Sequence, residues 1–320
     1  MNIAKQKLAG IPLPELYSRA KTQGLRYPIG PFNIHLNSNI PNYIEIFAKL
    51  YAFLPLAVEP CVADFHLKIN KKKGLRSFWR RQAVFSIDSV VPFEPYPYTH
   101  AFPLAEWGLN WCIGMSSHQY VILHSAVLEY KGIGVIFPAM PGSGKSTLCS
   151  ALMLRGWRLL SDEFGLIETV TGHLIPIPRA IPLKNDSIDI ISNFSENAIM
   201  GPVFTGTRKG DVAHLAPTQT CFERQDVAVK PGLVIFPQYH KSSQCQLLKE
   251  DKSTAFTRIT KNSFNYHLSQ KTGFRVLSKL IQNCDCYSAQ YNGLNDIVDI
   301  LMHLVDEKHR QTSTQKIETK

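Results

Sequence analysis

The sequence GVIFPAMPGSGKSTL, residues 134–148, decides the fold prediction. Its first four residues form an apolar run that ends at Pro138, as expected of a buried strand. Two glycines flank a serine in the middle, and a lysine followed by two hydroxyl residues comes next. This order of strand, glycine-rich loop and helix start is typical of a loop that wraps a phosphate group.

The residues around this stretch continue the pattern. Residues 146–155 place apolar side chains near one helical face, and Gly156 stands where such a helix ends. Residues 157–161 resume as a strand that two acids close, and residues 120–128 predict an earlier strand before a turn at 130–132. The segment therefore predicts an α/β fold with the acids at the carboxyl end of a strand, facing the loop.

The predicted phosphate loop brings together backbone amides, an ammonium group and hydroxyls. It comprises Pro141, Gly142, Ser143, Gly144, Lys145, Ser146 and Thr147. Glycine lets several N–H groups turn toward one anion, and the helix dipole adds partial positive charge. Lys145 is expected over the β and γ phosphates of ATP or another nucleoside triphosphate, with the Ser146 hydroxyl on Mg²⁺. Ala139 replaces the usual first glycine, and the alternative is a plain glycine turn capped by serine.

Three further residues are candidates for the chemistry. Of Asp162 and Glu163, one is expected to hold magnesium and the other to accept a proton from an attacking hydroxyl. The alternative is a pair of solvated acids in a loop. His124 lies in the middle of a predicted strand and is either a core histidine or a member of the site.

Composition limits the class of protein without choosing a partner. Of the 320 residues, 44% are hydrophobic, which is ordinary for a globular protein. The net charge of +10 is compatible with an anionic partner. No nucleic-acid motif accompanies the charge. No uncharged apolar run of about 18 residues occurs, so we expect no membrane span and a cytoplasmic protein. The seven cysteines lack paired zinc spacing and are expected to be buried thiols, although Cys284-Asp285-Cys286 leaves a metal alternative open.

The expected domain organisation is uneven. Residues 1–100, with short apolar clusters broken by prolines, predict a smaller β-rich N-terminal region. Residues 101–308 are expected to form the domain that contains the predicted phosphate loop, and residues 309–320 a polar tail. The basic stretch 68–81 favours a solvated hairpin turn over a binding patch. The prolines of 175–184 predict an extended edge or loop.

The segment from His124 through the loop to Glu163 resembles the catalytic core of bacterial HPr kinase/phosphorylase. Further stretches at 106–111, 207–214 and 263–266 are similar to the HPr-kinase-related "kinase A" group found with exopolysaccharide and exosortase gene clusters. The resemblance implies an α/β P-loop kinase core of the HPr kinase/PEP carboxykinase-like type with a mixed central sheet. It also implies Asp162 as general base with His124 assisting.

This sequence departs from that family in two places, and two of its cationic residues are further candidates for the site. Glu163 stands where the family has aspartate, and the family's later glutamate-containing loop has no clear counterpart in residues 175–184. Arg179 and Lys209 are candidates for charges around the migrating phosphoryl group, with ordinary surface charge as the alternative.

Two functions from different classes fit this sequence. The first is a kinase that moves the γ-phosphoryl of a magnesium-bound nucleotide to a hydroxyl, on a protein serine or a small molecule. The second is a nucleotide-dependent regulatory or assembly factor with little or no acceptor phosphorylation. A nucleic-acid binder has only the net charge behind it, and a homo-oligomer is compatible with either function.

Overall fold

The computed structural model describes residues 5–57, 62–74, 79–140, 142–242 and 244–318. Its chain is a mixed α/β protein that divides into two compact units. The first unit contains residues up to Ser117 together with Arg179–Ile188 and Ala198–Glu223, and the second contains the remaining residues.

The first unit combines a five-stranded sheet with helices. Its elements are β1 (Lys5–Lys7), α1 (Leu13–Thr22), β2 (Leu25–Ile29), β3 (Phe32–Ser38), α2 (Pro41–Leu50), β4 (Pro55–Ala57), β5 (Phe65–Lys71), β6 (Gln82–Ile87), β7 (Tyr96–Pro97), α3 (Ala101–Ser116), β13 (Ile181–Lys184), β14 (Phe204–Thr207), β15 (Gly210–Leu215) and α6 (Gln219–Glu223). Strands β2, β3, β5, β6 and β7 form the sheet in that order, and β13, β15 and β14 form a smaller one.

The second unit contains the predicted loop. Its elements are β8 (Tyr120–Tyr130), β9 (Ile133–Pro138), α4 (Lys145–Leu154), β10 (Arg158–Ser161), β11 (Phe164–Glu168), β12 (Leu174–Ile175), β16 (Pro231–Tyr239), β17 (Gln246–Lys249), α7 (Lys252–Lys261), α8 (Tyr266–Asn283), β18 (Asp285–Tyr291) and α9 (Leu294–Glu318). Helix α5 (Asp186–Phe194) begins in the first unit and ends in the second.

The sheet of the second unit is mixed. Its order is β12-β11-β8-β9-β16-β18-β17, and β10 also pairs with β8. Strands β9, β16 and β18 are parallel neighbours, whereas β8, β11 and β17 pair antiparallel to theirs. The carboxyl ends of the three parallel strands therefore meet at one edge, which is where ligands bind in open α/β sheets.

Strand β10 contains an irregularity just before the two acids. Leu159 lies opposite Leu128 of β8, but Ser161 lies opposite Val127, so Leu160 is an extra residue on the β10 side. Such a bulge bends a strand and redirects the side chains that follow it. The acids thus leave the sheet at a locally distorted point.

Helices cover the sheet and close the core. Every residue of β9 is buried, as expected of a strand with both faces covered. Helices α7 and α8 contribute Ala255, Ile259, Leu277 and Ile281 to a cluster with β8, β9 and β16 residues. The core therefore fixes the strands that precede the loop and the acids.

The division into units differs from the sequence-based boundary at residue 100. Helix α3 belongs to the first unit, because it packs against β5 and β6. The first region is also more helical than predicted, since α1 and α2 accompany its strands. The predicted polar tail from residue 309 is helical as far as Glu318, where α9 ends. Buried Ile297 and Leu301 anchor the earlier turns of α9, and adding residues to a helix that has already formed costs little free energy.

Two local predictions agree with the structure. The basic stretch 68–81 joins antiparallel strands β5 and β6, although residues 75–78 within it lie outside the described part of the chain. The proline-rich stretch 175–184 is extended, and its β13 is an edge strand of the small sheet.

Candidate functional site

The loop between β9 and α4 takes the conformation that its glycines permit. Gly142 and Gly144 have φ values of 87° and 83°, in the left-handed region that favours glycine. Helix α4 begins at Lys145 without a side-chain cap, so the N–H groups of its first turn have no partner inside the helix. Pro141, predicted as part of the loop, lies outside the described residues.

Two tyrosines from the parallel strands hold this loop. The Tyr291 hydroxyl donates to the Gly144 carbonyl at 3.3 Å, and the Tyr239 amide donates to the Ser143 carbonyl at 3.3 Å. A Cβ atom on Gly144 would lie 2.6 Å from the Tyr291 Oη atom and 3.1 Å from the Tyr239 Cβ atom. Gly144 is therefore required by both its φ and its neighbours.

The first two residues of α4 converge on Asp162. The Ser146 hydroxyl donates to Asp162 Oδ2 at 2.8 Å. Lys145 Nζ donates to the Asp162 backbone carbonyl and lies 3.6 Å from Asp162 Oδ1. Lys145 is only 8% exposed and Asp162 6%. The structure thus brings together the lysine, the hydroxyl and the acid that the sequence singles out.

This cluster contains two buried oxygens with unused hydrogen-bonding capacity. Asp162 Oδ1 and Ser143 Oγ have no hydrogen-bond partner among the described residues. Buried polar atoms are almost always hydrogen-bonded, and an unpaired one costs free energy. Two such atoms beside an uncapped helix start are suited to a polar or ionic ligand.

Glu163 and His124 lie next to this cluster on paired backbone. The Ser125 amide donates to the Glu163 carbonyl at 3.2 Å, and His124 lies opposite Phe164 on β11. The His124 ring packs at a centroid distance of 5.6 Å from Phe264. His124 and Glu163 are both half-buried. Pairing of β8 with the acid-bearing segment therefore places all three predicted chemical residues in one neighbourhood.

Arg179 and Lys209 belong to the first unit, whereas Lys145 and Asp162 belong to the second. The Arg179 guanidinium donates to Asn110 Oδ1 at 2.6 Å and forms an ion pair with Glu106 at 3.9 Å. Lys209 is exposed, and its amide donates to Thr207 Oγ1 at 3.1 Å in the turn before β15. Arg179 therefore has structural partners in Asn110 and Glu106. The catalytic role of Arg179 and Lys209 stays a prediction.

Sequence reasoning missed the two tyrosines at the carboxyl ends of β16 and β18. Residues 232–237 predict the first strand, but not that its end meets the loop. The second strand follows Cys284, in a segment considered for metal binding. Cys284 and Cys286 are buried, and burial raises the pKa of the Cys284 thiol to about 12. The sequence signal that could have identified the two residues is the tyrosine at the end of each strand segment.

The comparisons with known proteins add little. No family model matches the chain, and no curated protein matches it. A solved structure of the Hpr(Ser) kinase/phosphatase from Coxiella burnetii is similar to it at 13% sequence identity and a TM-score of 0.25, covering 60% of this chain and 98% of that one. Among the described residues, no helix is both long and apolar enough to cross a membrane.

Proposed function

We propose that this protein is a P-loop phosphotransferase of the HPr kinase/PEP carboxykinase-like type. It moves the γ-phosphoryl of ATP or another nucleoside triphosphate to a hydroxyl on a protein serine or a small molecule. The observation that carries the proposal is the convergence of Lys145 and Ser146, at the start of α4, on the buried carboxylate of Asp162.

The nucleotide phosphates bind at the start of α4. Backbone amides of the Gly142–Thr147 loop and the helix dipole favour a polyphosphate there. Lys145 lies 3.6 Å from Asp162 Oδ1 in this structure, and its ammonium group turns to the β and γ phosphates when the nucleotide binds. The lysine thereby exchanges one anionic partner for another.

The residues present fit a magnesium ion. Ser146 Oγ and the Asp162 carboxylate are hard oxygen ligands 2.8 Å apart, and Asp162 Oδ1 is buried without a hydrogen-bond donor among the described residues. Those residues contain no cluster of three or more acidic, histidine or cysteine side chains suited to a metal. Magnesium at nucleotide sites usually takes one or two protein ligands plus phosphates. When bound, it neutralises charge on the transferring group.

The acids act on the acceptor. Asp162 takes the proton of the acceptor hydroxyl on the carboxylate oxygen that does not hold the metal, as the new oxygen–phosphorus bond forms and the bond to the leaving nucleoside diphosphate breaks. Glu163 supplies the second carboxylate, which binds the metal or orients the acceptor. His124, beside this pair, assists as a hydrogen-bonding partner.

A second candidate function is a nucleotide-binding regulatory or assembly factor without acceptor phosphorylation. The contacts of Asp162 are compatible with it as well, because Ser146 already donates to one carboxylate oxygen and the Lys145 ammonium group lies 3.6 Å from the other. An acid held in this way suits ligand binding as well as proton transfer. In this second candidate function, the protein regulates or assembles an exopolysaccharide or exosortase system.

The test uses ATP labelled at the γ position, with a lysate of the source cell as the supply of acceptors. The kinase proposal predicts label on an acceptor, identified by mass spectrometry, whereas label confined to free phosphate selects the regulatory factor. Lys145→Ala is expected to weaken nucleotide binding by about 100-fold in calorimetry, because a charge-assisted contact is lost. Asp162→Asn should bind nucleotide and lose transfer by at least about 100-fold. Wild-type transfer rates in Asp162→Asn would eliminate this residue as the base.

A further inference from the structure

Tyr239 has an exposed ring at the carboxyl end of β16. It is 42% exposed, whereas Tyr291, its partner in the register of β16 and β18, is 1% exposed. The two rings meet edge to face with centroids 5.7 Å apart. The buried ring thus supports the exposed one from the side and leaves part of Tyr239 open to solvent.

The position of Tyr239 is fixed relative to the phosphate loop. Its amide donates to the Ser143 carbonyl at 3.3 Å, and its Cβ atom lies 3.1 Å from where a side chain on Gly144 would begin. These contacts use only the backbone and the Cβ atom of Tyr239. They hold the loop whatever the side chain is, so they do not explain the aromatic ring.

The sheet geometry places Tyr239 at the edge where a ligand is expected. Strands β9, β16 and β18 run parallel, and their carboxyl ends meet at the edge where the loop begins. A nucleotide whose phosphates lie at the start of α4 extends its sugar and base from this edge. Aromatic rings bind nucleobases by stacking, with little preference for the base because each base has a π face.

We propose that the ring of Tyr239 stacks on the base of the bound nucleotide, so that the ligand is recognised as a nucleotide and not as a bare polyphosphate. This inference rests on the proposed function, because it places the phosphates at the loop. It assigns a base subsite to the same site. The basic residues His240 and Lys241, both exposed, follow Tyr239 at the same strand end.

The experiment compares two ligands that share phosphates but differ in the base. Magnesium-ATP and magnesium-tripolyphosphate are titrated calorimetrically into the wild-type protein, Tyr239→Ala and Tyr239→Phe. We expect Tyr239→Ala to weaken ATP binding by about tenfold or more and to leave tripolyphosphate binding unchanged. Tyr239→Phe keeps the stacking face and should match the wild-type protein for both ligands.

Each contrary outcome has a distinct meaning. Equal weakening of both ligands in Tyr239→Ala shows that the ring supports the loop and overturns the stacking proposal. If the wild-type protein binds both ligands and Tyr239→Ala binds ATP with the same affinity as the wild-type protein, only the stacking proposal is overturned. A wild-type protein that binds neither ligand overturns the proposed function as well. A loss in Tyr239→Phe equal to that in Tyr239→Ala assigns the effect to the hydroxyl and also overturns stacking.

Discussion

Two buried ion pairs lie four residues apart along β10 and the segment after it, and they differ in how completely they are hydrogen-bonded. Arg158 pairs with Glu129 at the start of the strand, and Lys145 pairs with Asp162 just beyond its end. All four side chains are less than 9% exposed. Their environments separate a pair that stabilises the fold from one suited to a ligand.

The Arg158 pair is well supplied with partners. Arg158 Nε donates to Glu129 Oε2, Nη1 donates to the Arg224 carbonyl at 2.6 Å and Nη2 donates to the Val227 carbonyl at 3.1 Å. Glu129 also accepts from the Gly132 amide at 3.1 Å. Such a network offsets the cost of removing two charges from water, and it leaves little capacity for a ligand.

The Lys145 pair is loose by comparison. Lys145 Nζ is 3.6 Å from Asp162 Oδ1, which is longer than a hydrogen bond, and this oxygen has no hydrogen-bond partner among the described residues. The contrast teaches that burial alone does not mark a functional charge. Incomplete hydrogen bonding of a buried charge, beside a helix start, is the more useful sign.

The largest expected effect is on stability, from Arg158→Met. This change leaves Glu129 buried without its main partner, so we expect a loss of about 3 to 5 kcal/mol in the free energy of unfolding. Urea denaturation followed by circular dichroism measures it. Arg224→Met is the matched control: Arg224 contacts the same carboxylate at 3.3 Å but is 44% exposed, and it should cost less than about 1 kcal/mol. Equal losses in the two variants would contradict the contrast.

A smaller effect is expected at the loop, from Gly144→Ala. Its φ of 83° costs an alanine about 1 to 2 kcal/mol, and the added Cβ atom would also clash with Tyr291 Oη at 2.6 Å. Nucleotide affinity should fall by more than tenfold in calorimetry. Gly142→Ala has a similar φ of 87°, but no atom of the described residues lies within 4 Å of the added carbon, so it should lose less affinity. The reverse order would show that the tyrosines do not constrain the loop.

The smallest expected effect is on the magnesium requirement for nucleotide binding, from Ser146→Ala. Ser146→Ala removes the hydroxyl that donates to Asp162 at 2.8 Å and that we expect to bind magnesium. The magnesium concentration for half-maximal nucleotide binding should rise on the order of tenfold. Ser146→Thr retains the hydroxyl and should stay close to the wild-type value. An unchanged magnesium requirement in Ser146→Ala would remove this residue from the metal site.

Local sequence patterns predicted the centre of the second unit well. The strand, loop, helix, strand and acids between residues 120 and 163 have the predicted types and nearly the predicted bounds. These elements are set by apolar periodicity and by glycines next to a lysine, which are short-range signals. The contact between Ser146 and Asp162 follows from that order, because the helix start and the strand end lie at one edge.

Long-range features could not be predicted in the same way. The association of residues 179–188 and 198–223 with the N-terminal unit depends on contacts between segments distant in the chain, such as the hydrogen bond from the Ala180 amide to the Tyr51 hydroxyl and the ion pair of Lys7 with Glu223. The partners of Arg179 and the approach of Tyr239 and Tyr291 to the loop have the same origin. Pairing of this kind depends on the whole sheet and leaves no mark within a short window of sequence.

The extra residue at Leu160 ties chain length to the direction in which the carboxylate of Asp162 leaves the strand. Deletion of Leu160 would let Leu159 and Ser161 follow each other in regular register with β8, and the bend that the bulge gives this strand would be lost. The hydroxyl of Ser146 would then lose the aligned carboxylate that it now meets at 2.8 Å. One-residue deletions in β10 should therefore be harsher than most single substitutions, even though every remaining amino acid is preserved.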